Sequence, residues 1–526
     1  MKKSLVAVSV IVVLGAAWTG ASWYTGKMLE QHMGDIVADA NTQLKTHYPQ
    51  SGVTLVYQDY HRGIFSSRAR FVVKPDGTTP NGALQSGDEV AFIETIDHGP
   101  FPAAQLKKFN LIPSMASVHS ELQNTATVKG LFDLTQGKSP VNADTRIGYG
   151  GDTASVIDLL PVNYQKNTSK LEFAGGTINL DVAKDMQKVE MDAKTGSLAF
   201  TSPNQWGQLE KVTLSGVSLD TDTHKGKFDI SLGKGNLNVD NIGVNIDGKD
   251  AAQLAGLKMN TNFDEDQQNL KGQIDYSLDS LKIQGADFGS GKLSIKLDKL
   301  DEQSVKTFSD SYNQQGMALM QQAQALGPDV YRQQATALLL SKLPLLLKGN
   351  PSITIDPLSW KNSKGESTFT LKLDMKDPAA AGSAAQSQDQ LISQLVNNVD
   401  AKLTIPLDMA TQMTTQIAQV EGYTGDDAEK LAKQQVQGLA AMGQMFKITT
   451  LKDNAITSTF HFSGNQIDLN GQKMSLQEFA GLFGMLGGPE IPAQNEPSAP
   501  AQPAIPGAPV VPAVPAVPAQ PAQPAQ

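Results

Sequence analysis

The chain changes its hydrophobic period several times. Ser4 to Gly26 is an uncharged run of 23 residues whose apolar heart is Leu5 to Ala17. Lys2 and Lys3 precede it, and Trp18, Trp23 and Tyr24 lie at its far end. About 20 apolar residues in a helix cross the hydrocarbon core of a bilayer, and Trp and Tyr favour its interface. The pattern predicts a single membrane-spanning helix through residues 4–26, with the lysines in the cytoplasm and the bulk of the chain on the far side. A cleaved signal peptide is the rival reading, with Thr19-Gly20-Ala21 as a small-residue cleavage site. Both readings place the bulk outside the cytoplasm. Ala335 to Leu347 is the next most apolar run, but it is short and carries Lys342 and Pro344; a buried amphipathic helix is expected there.

From Met28 the period becomes helical: Met33, Ile36, Val37 and Leu44 share one face, and Pro49, Ser51 and Gly52 end the helix. From Val53 to about Lys299 the period is two. Val53–Tyr57, Val90–Ile96, Lys170–Phe173, Thr177–Val182, Lys227–Leu232 and Gln273–Ile283 all alternate, as strands with one wet and one buried face do. Asp76-Gly77, Gly175-Gly176 and Asp247-Gly248 are hairpin-type turns. The expected architecture is a long, twisted, mainly antiparallel sheet.

A helical block follows at Glu302–Leu326, broken by Gly327-Pro328 and resumed to Leu347. Strands return at 352–355, 367–373 and 401–405, with a polar loop at 378–388 between the last two. Met409, Met413, Ile417 and Val420 mark one helix face, and Thr424 with Asp427 resembles a capping box for a second helix to Phe446. Strands at 446–451 and 456–462, a turn at Asn470-Gly471 and a helix at Ser475–Met485 complete the folded part. The fold class is α+β, with helices inserted in the C-terminal half. The expected segments are a membrane anchor at 1–27, a membrane-proximal helix at 28–52, a mainly β region at 53–300, an α+β region at 301–487 and a tail at 488–526. In the tail, proline recurs every third residue from Pro497 to Pro524 with no charge after Glu496. Polyproline II has 3 residues per turn, so the prolines form one edge of an extended rod that is expected to be disordered but stiff.

Composition narrows the function classes. A net charge of −10 argues against a nucleic-acid partner. The chain has no cysteine, which excludes disulfides, thiol catalysis, Cys-ligated metal centres and lipoprotein acylation. The seven histidines carry no zincin spacing, and no nucleophile elbow occurs. Ala286–Leu293 imitates a phosphate-binding loop but lacks its first glycine and its Ser/Thr. Asn245–Asp250 reads as a hairpin turn rather than a calcium loop. No cofactor, metal site or catalytic residue is expected.

Two clusters stand out. Tyr60-His61-Arg62-Gly63-Ile64-Phe65-Ser66-Ser67 joins two strands, and Asp97-His98-Gly99-Pro100-Phe101-Pro102 ends another. Asp97 with His98 has the composition of an acid–base pair, and His61 with Arg62 that of an anion site. The same residues also suit structured turns, with Gly63 and Gly99 taking special backbone angles.

These motifs carry a resemblance. Lys3–Val8, YHRGIFSS from Tyr60, DHGPFP from Asp97, QLKKFNLIPSMAS from Gln105, Thr145–Gly150, GSGKL from Gly289, ITIDPLSWKNSKGES from Ile353, AMGQMF from Ala441 and NGQKMSLQEF from Asn470 are similar to the YdgA family of enterobacterial inner-membrane proteins, which carry a domain of unknown function. The resemblance covers roughly residues 1–485 and implies an N-terminally anchored, single-pass, periplasmic protein that self-associates. It brings no catalytic residues. Tyr60, His61, Arg62, Gly63, Phe65, Asp97, His98, Gly99 and Pro100 are the candidate binding residues.

Three functions follow as expectations. The first is a non-enzymatic envelope protein that acts by binding, as a homo-oligomer or with an envelope partner. Met409, Met413, Met442 and Met445 offer it an adaptable surface, although core packing also suits them. The second is lipid or hydrophobic-ligand handling along an uncovered sheet face, with helices such as Ala335–Leu347 over the groove. The third is a periplasmic hydrolase, which requires Asp97, His98, His61 and Arg62 to converge.

Overall fold

Alternating residues in the first half and helical blocks in the second build one antiparallel sheet with helices at its margins. The computed structural model describes residues 2–47, 51–78, 82–266, 268–382 and 388–485; the side chains of 2–16, 46–47, 388 and several between 317 and 340 lie outside that description. The chain forms two compact units, Met1–Phe479 and Ala480–Gln526. The proline repeat, where the extended rod is expected, belongs to the second and lies outside the described residues.

Helix α1 runs unbroken over Lys2–His47. No break separates an anchor from a membrane-proximal helix at 27/28, because no residue there stops a helix. The sheet then begins with β1 (Val53–Arg62), β2 (Ser66–Pro75), β3 (Val90–His98), α2 (Ala103–Lys107), β4 (Ala116–Leu122), α3 (Lys129–Leu134), β5 (Val141–Ile147) and β6 (Thr153–Leu159). It continues with β7 (Val162–Lys166), β8 (Ser169–Phe173), β9 (Gly176–Val182), β10 (Lys188–Thr195) and β11 (Leu198–Pro203). Five long strands follow: β12 (Leu209–Lys225), β13 (Ser231–Ile246), β14 (Lys249–Glu265), β15 (Asn269–Ile283) and β16 (Ala286–Asp301). After α4 (Glu302–Leu326) and α5 (Pro328–Lys342) come β17 (Ser352–Asn362), β18 (Gly365–Met375), α6 (Gln388–Leu395) and β19 (Val396–Pro406). Helices α7 (Leu407–Val420) and α8 (Gly425–Met445) precede β20 (Thr450–Lys452), β21 (Ala455–Ser463), β22 (Gln466–Leu469), β23 (Gln472–Ser475) and α9 (Leu476–Met485).

Neighbouring strands pair in chain order from β1 to β6, then through β9, β10 and β12 to β19, and on to β21, β22 and β23. A branch of β7, β8 and β11 joins the lower half of β12, and β20 adds to β21. Every one of these ladders is antiparallel, and the sheet crosses residue 300 without interruption, β16 pairing with β17. Pairing is sequential because short turns fold each strand back on its predecessor.

Several local expectations are corrected. Lys227–Leu232 is not one strand: Lys227–Asp229 is a 3-10 turn with Phe228 at φ 55°, and β13 starts at Ser231. The alternation there is a hairpin turn whose polar and apolar residues happen to alternate. Thr424 starts α8 without a side-chain cap bond. Residues 446–449 are not strand; β20 covers only Thr450–Lys452. The polar loop contains a 3-10 turn at Pro378–Ala381, while 383–387 lie outside the described residues. Among the described side chains of Ala335–Leu347, only Leu347 is a buried core residue, and Leu339, Leu343 and Leu345 are exposed. That segment lies against α4 and the end of β16 rather than across the long strands. Met409 is buried, whereas Met442 and Met445 are exposed.

Within the first unit fully buried apolar residues gather under α1, under α3 and around α7, α8 and β21–β22, and four more, Leu232, Val239, Leu270 and Phe288, lie on β13, β15 and β16. On β14, by contrast, Leu254, Leu257, Met259 and Phe263 are only half-buried while Lys258, Asn260 and Asn262 opposite them are exposed. Truncating a sealed residue should therefore cost more than truncating one on β14. Ile467→Ala, at a residue 2% exposed, is expected to cost about 2–5 kcal/mol. Met259→Ala should cost below about 2 kcal/mol. Urea unfolding followed by circular dichroism compares the two; equal losses would mean that the long strands are sealed after all.

Candidate functional site

Helix α1 presents a stripe of small and apolar residues at helical spacing. Ser22, Thr25, Gly26, Leu29, Met33 and Val37 are all buried. Spacings of three and four residues put them on one face. Leu29 and Met33 pack with Ile96 and Ala116 and against Phe71, Val118 and Ile147. Farther along, Asn41 bonds both backbone groups of Leu55, accepting from its N–H at 2.7 Å and donating to its carbonyl at 2.8 Å. The amide thus pairs with the exposed edge of β1 as another strand would.

The two clusters singled out in the sequence form the socket for this helix. Trp18 Nε1 donates to the Phe101 carbonyl at 3.2 Å, and its ring meets Phe65 at 5.0 Å. Thr25 Oγ1 donates to the Gly99 carbonyl at 3.0 Å. Arg62 Nε pairs with Glu30 at 2.8 Å, and its guanidinium stands 5.6 Å from the Trp23 ring centre. Such partly exposed contacts are worth about 0.5–1 kcal/mol each. Neither Gly63 nor Gly99 lies at positive φ, so the special angles expected of them are not what they supply; glycine is required instead for close approach. A Cβ on Gly26 would stand 2.3 Å from His98 Cε1, and one on Gly99 would stand 1.9 Å from the Ser114 carbonyl oxygen.

Beneath the helix lies a hydrogen-bond chain. His98 Nδ1 lies 3.0 Å from the Ile64 carbonyl, which only accepts, so Nδ1 carries the proton. Nε2 therefore accepts from Ser67 Oγ at 2.8 Å, and Ser67 in turn accepts from the Tyr60 hydroxyl at 3.1 Å. Burial pushes the His98 imidazolium down, against the favourable Ile64 carbonyl. Burial likewise pushes the Tyr60 phenol up, against its bond to Ser67.

The candidate chemistry dissolves into these contacts. Asp97 Oδ2 accepts from the Ala104 N–H at 2.8 Å and so holds the start of α2 instead of facing His98. His61 is exposed, Gly63 closes the β1–β2 turn with its N–H on the Ser66 carbonyl, and Pro100 accepts from the Ser114 N–H through its carbonyl. The four residues of the hydrolase reading serve separate contacts. Among the described residues no group of three or more His, Asp and Glu is placed to hold a metal ion.

A second feature emerges from the strand register. Residues opposite each other on antiparallel strands share a face. One such row runs Ala143, Ile157, Ile178, Ala193, Leu219 and Leu237 across β5, β6, β9, β10, β12 and β13. It continues through Met259, Tyr276, Leu293, Leu358, Phe369 and Leu403 on β14 to β19. All twelve are apolar or aromatic, and none is fully buried. At ~4.8 Å between strands the row is about 53 Å long. The opposite face is polar: Lys194, Ser218, Asn238, Lys258, Ser277 and Lys292 form the matching row. At the head of the apolar row stand Glu94 and Ser120, whose hydroxyl donates to the carboxyl at 2.5 Å. Burial pushes the Glu94 carboxyl up.

The sequence reading missed Ser22, Thr25, Gly26 and Ser67 as parts of this site. Ser22 and Gly26 are small residues at i and i+4 in an apolar helix, a spacing that signals close helix packing. The cross-strand row had no local signal, since register alone creates it.

Two outcomes test the socket. Gly26→Leu is expected to release α1, costing about 1–3 kcal/mol of docking by overpacking; faster amide exchange at residues 22–37, with β14–β16 unchanged, reports it. The second concerns pH. His98 has a folded pKa lowered from the ordinary 6.5, so its contribution is complete above that value and falls as the pH drops below it toward the folded value. The docked helix should exchange faster at pH 5.5 than at 7.5, and His98→Gln should flatten that dependence.

Comparison with known proteins places the chain. No solved structure matches it. It is 46% identical over 498 residues, 94% of this chain and 99% of the relative, to Protein YdgA of Escherichia coli strain K12. It is 29% identical over 90% of its length to 97% of the uncharacterized protein YihF of the same organism. A Haemophilus influenzae uncharacterized protein is 25% identical over 187 residues, 35% of this chain and 48% of the relative. The family profile described as bacterial protein of unknown function, DUF945, matches residues 1–477, and the chain belongs to that family.

Proposed function

We propose that this is a bacterial inner-membrane protein, single-pass with a cytoplasmic N-terminus, that holds the acyl chains of lipids along its sheet on the periplasmic side. The observation that carries the reading is the uncovered apolar row. A contiguous apolar surface of this extent marks an interaction site rather than a stable solvent face. It carries no charge and no amide that would orient a polar ligand. At about 53 Å it exceeds the ~15 Å depth of one leaflet's hydrocarbon, so it accommodates chains end to end or side by side.

The anchor is supported by composition and by the socket. Among the described residues no helix is long and apolar enough to cross a membrane; the side chains of 2–16, which hold most of the apolar run, lie outside that description. Trp18 lies before the Ala21 cleavage point of the signal-peptide reading, and its contacts with Phe65 and Phe101 favour an uncleaved helix. The same helix covers the sheet face over the first strands, so membrane and apolar row meet along one continuous path.

A second reading, self-association, has its own observation: Leu439, Met442 and Met445 form an exposed apolar ridge on α8. A copy of the chain seated there would bury it. Sedimentation of the extracted protein distinguishes this reading: Leu439→Glu with Met445→Glu is expected to lower the mass from a multiple of the chain to the chain itself.

Lipid binding is tested by the native mass of the gently extracted protein. The expected result is phospholipid of defined stoichiometry that survives detergent exchange. Leu237→Asp with Met259→Asp, which place two charges in the row, should lower retained lipid at least tenfold, since a buried unpaired charge costs more than ~1.4 kcal/mol. Retention unchanged by that variant would remove the row from the binding site.

A further inference from the structure

The β3–β4 connection is built inside out. Three of its polar residues turn inward: Gln105 Nε2 donates to Ser117 Oγ at 2.9 Å, Asn110 Nδ2 donates to Gln105 Oε1 at 2.9 Å, and Ser114 is fully enclosed. Three of its apolar residues turn outward. Phe109 is 92% exposed, Leu111 69% and Ile112 58%. Phe109 also holds φ 56°, a left-handed conformation that is rare and strained for a bulky residue. A loop that spends internal hydrogen bonds and backbone strain to turn three apolar side chains outward has a partner for them.

The position of the loop identifies that partner. Phe101, which opens the loop, accepts from Trp18 through its carbonyl, and Ser114, which closes it, bonds to Pro100 beside the Thr25 contact. Ile64 and Phe65, also exposed, stand at the same end of the strands, Phe65 against Trp18. The apolar run of α1 ends at Ala17, one residue before this ring of contacts. Residues 4–17, the uncharged stretch before Trp18, rise about 21 Å as helix, short of the ~30 Å hydrocarbon core. Seating the adjoining protein in the interface makes up the difference. Lys107, two residues before Phe109, is exposed, and a cation flanking an apolar insertion matches anionic headgroups; Lys108 beside it is paired with Asp144 at 2.7 Å.

We propose that Phe109, Leu111 and Ile112, with Ile64 and Phe65 beside them, seat in the outer interface of the bilayer that α1 spans. The proposal rests on the anchored reading above. It makes the socket a collar at the membrane surface, and it points the apolar row toward the leaflet from which lipid would enter.

The native chain has no cysteine, so single cysteines report one site each. The full chain carrying Phe109→Cys or Ile112→Cys is labelled with an environment-sensitive fluorophore and reconstituted in phosphatidylethanolamine–phosphatidylglycerol vesicles. Trp206→Cys, an exposed apolar position in the turn before β12 at the opposite strand ends, is the reference. The expected result is a blue-shifted emission at 109 and 112, quenched several-fold more by interface-located spin-labelled lipid than at 206. Labels at both loop positions as wet as that at 206, on a chain that floats with the vesicles, would overturn the collar and leave the anchor standing. A chain that does not float with vesicles would overturn the anchor and the collar together.

Discussion

Strand register puts an apolar side chain at the same height on strand after strand, and no second layer seals the middle of that row. Everything else in the fold can be read from how this face is handled. Over the first strands α1 lies on it, through Leu29 and Met33 against Ile96 and Ala116. At the far ends of β16–β18, α7 is tied to strand-end loops by Gln416 on the Asp287 carbonyl and by Asn362 on the Met409 carbonyl. Between them no member of the row is fully buried, and Tyr276 and Leu358 are exposed; an apolar face left open to water is stable only with an occupant or at a cost.

The helix that covers the start of the face is held by close fit rather than by strong pairs. Gly26 passes within touching distance of His98, and His98 is locked as a neutral donor–acceptor between Ile64 and Ser67. Burial disfavours a charged imidazolium there, and forming one would reverse the Ser67 and Tyr60 hydroxyl bonds. Of the residues that look most like catalysts in the sequence, His98 and Arg62 are committed to positioning α1, Asp97 holds the start of α2, and His61 is exposed. This is consistent with a protein that works by holding an apolar surface in a fixed relation to its N-terminal helix.

Much of the fold is legible in the sequence because its signals are local. Thr177–Val182 alternates strictly and Gln273–Ile283 alternates with one shift at Asp279-Ser280, where the ladder is irregular, and both lie within strands; Asp247-Gly248 turns one long strand into the next; Met409–Val420 repeats at helical spacing and is α7. Lys227–Leu232 misleads because a 3-10 turn through Phe228 preserves a two-residue alternation by chance. The site was legible only as composition. YHRGIFSS and DHGPFP mark it, but their purpose depends on Trp18, Thr25 and Gly26, dozens of residues away and joined only by the fold. The apolar row is less legible still. Each of its members looks like an ordinary core residue on its own strand, and only long-range register lines them up with nothing above.

Photo-crosslinking tests the central claim most directly. Intact protein in its membrane is exposed to phospholipid bearing a photoactivatable group along its acyl chain, and the crosslinked peptides are mapped. Adducts on Leu219, Leu237, Met259, Tyr276 and Leu293, with none on Asn238, Lys258 or Lys292 of the opposite face, are the predicted result. Adducts confined to α1, with both faces of β12–β16 unlabelled, would contradict it.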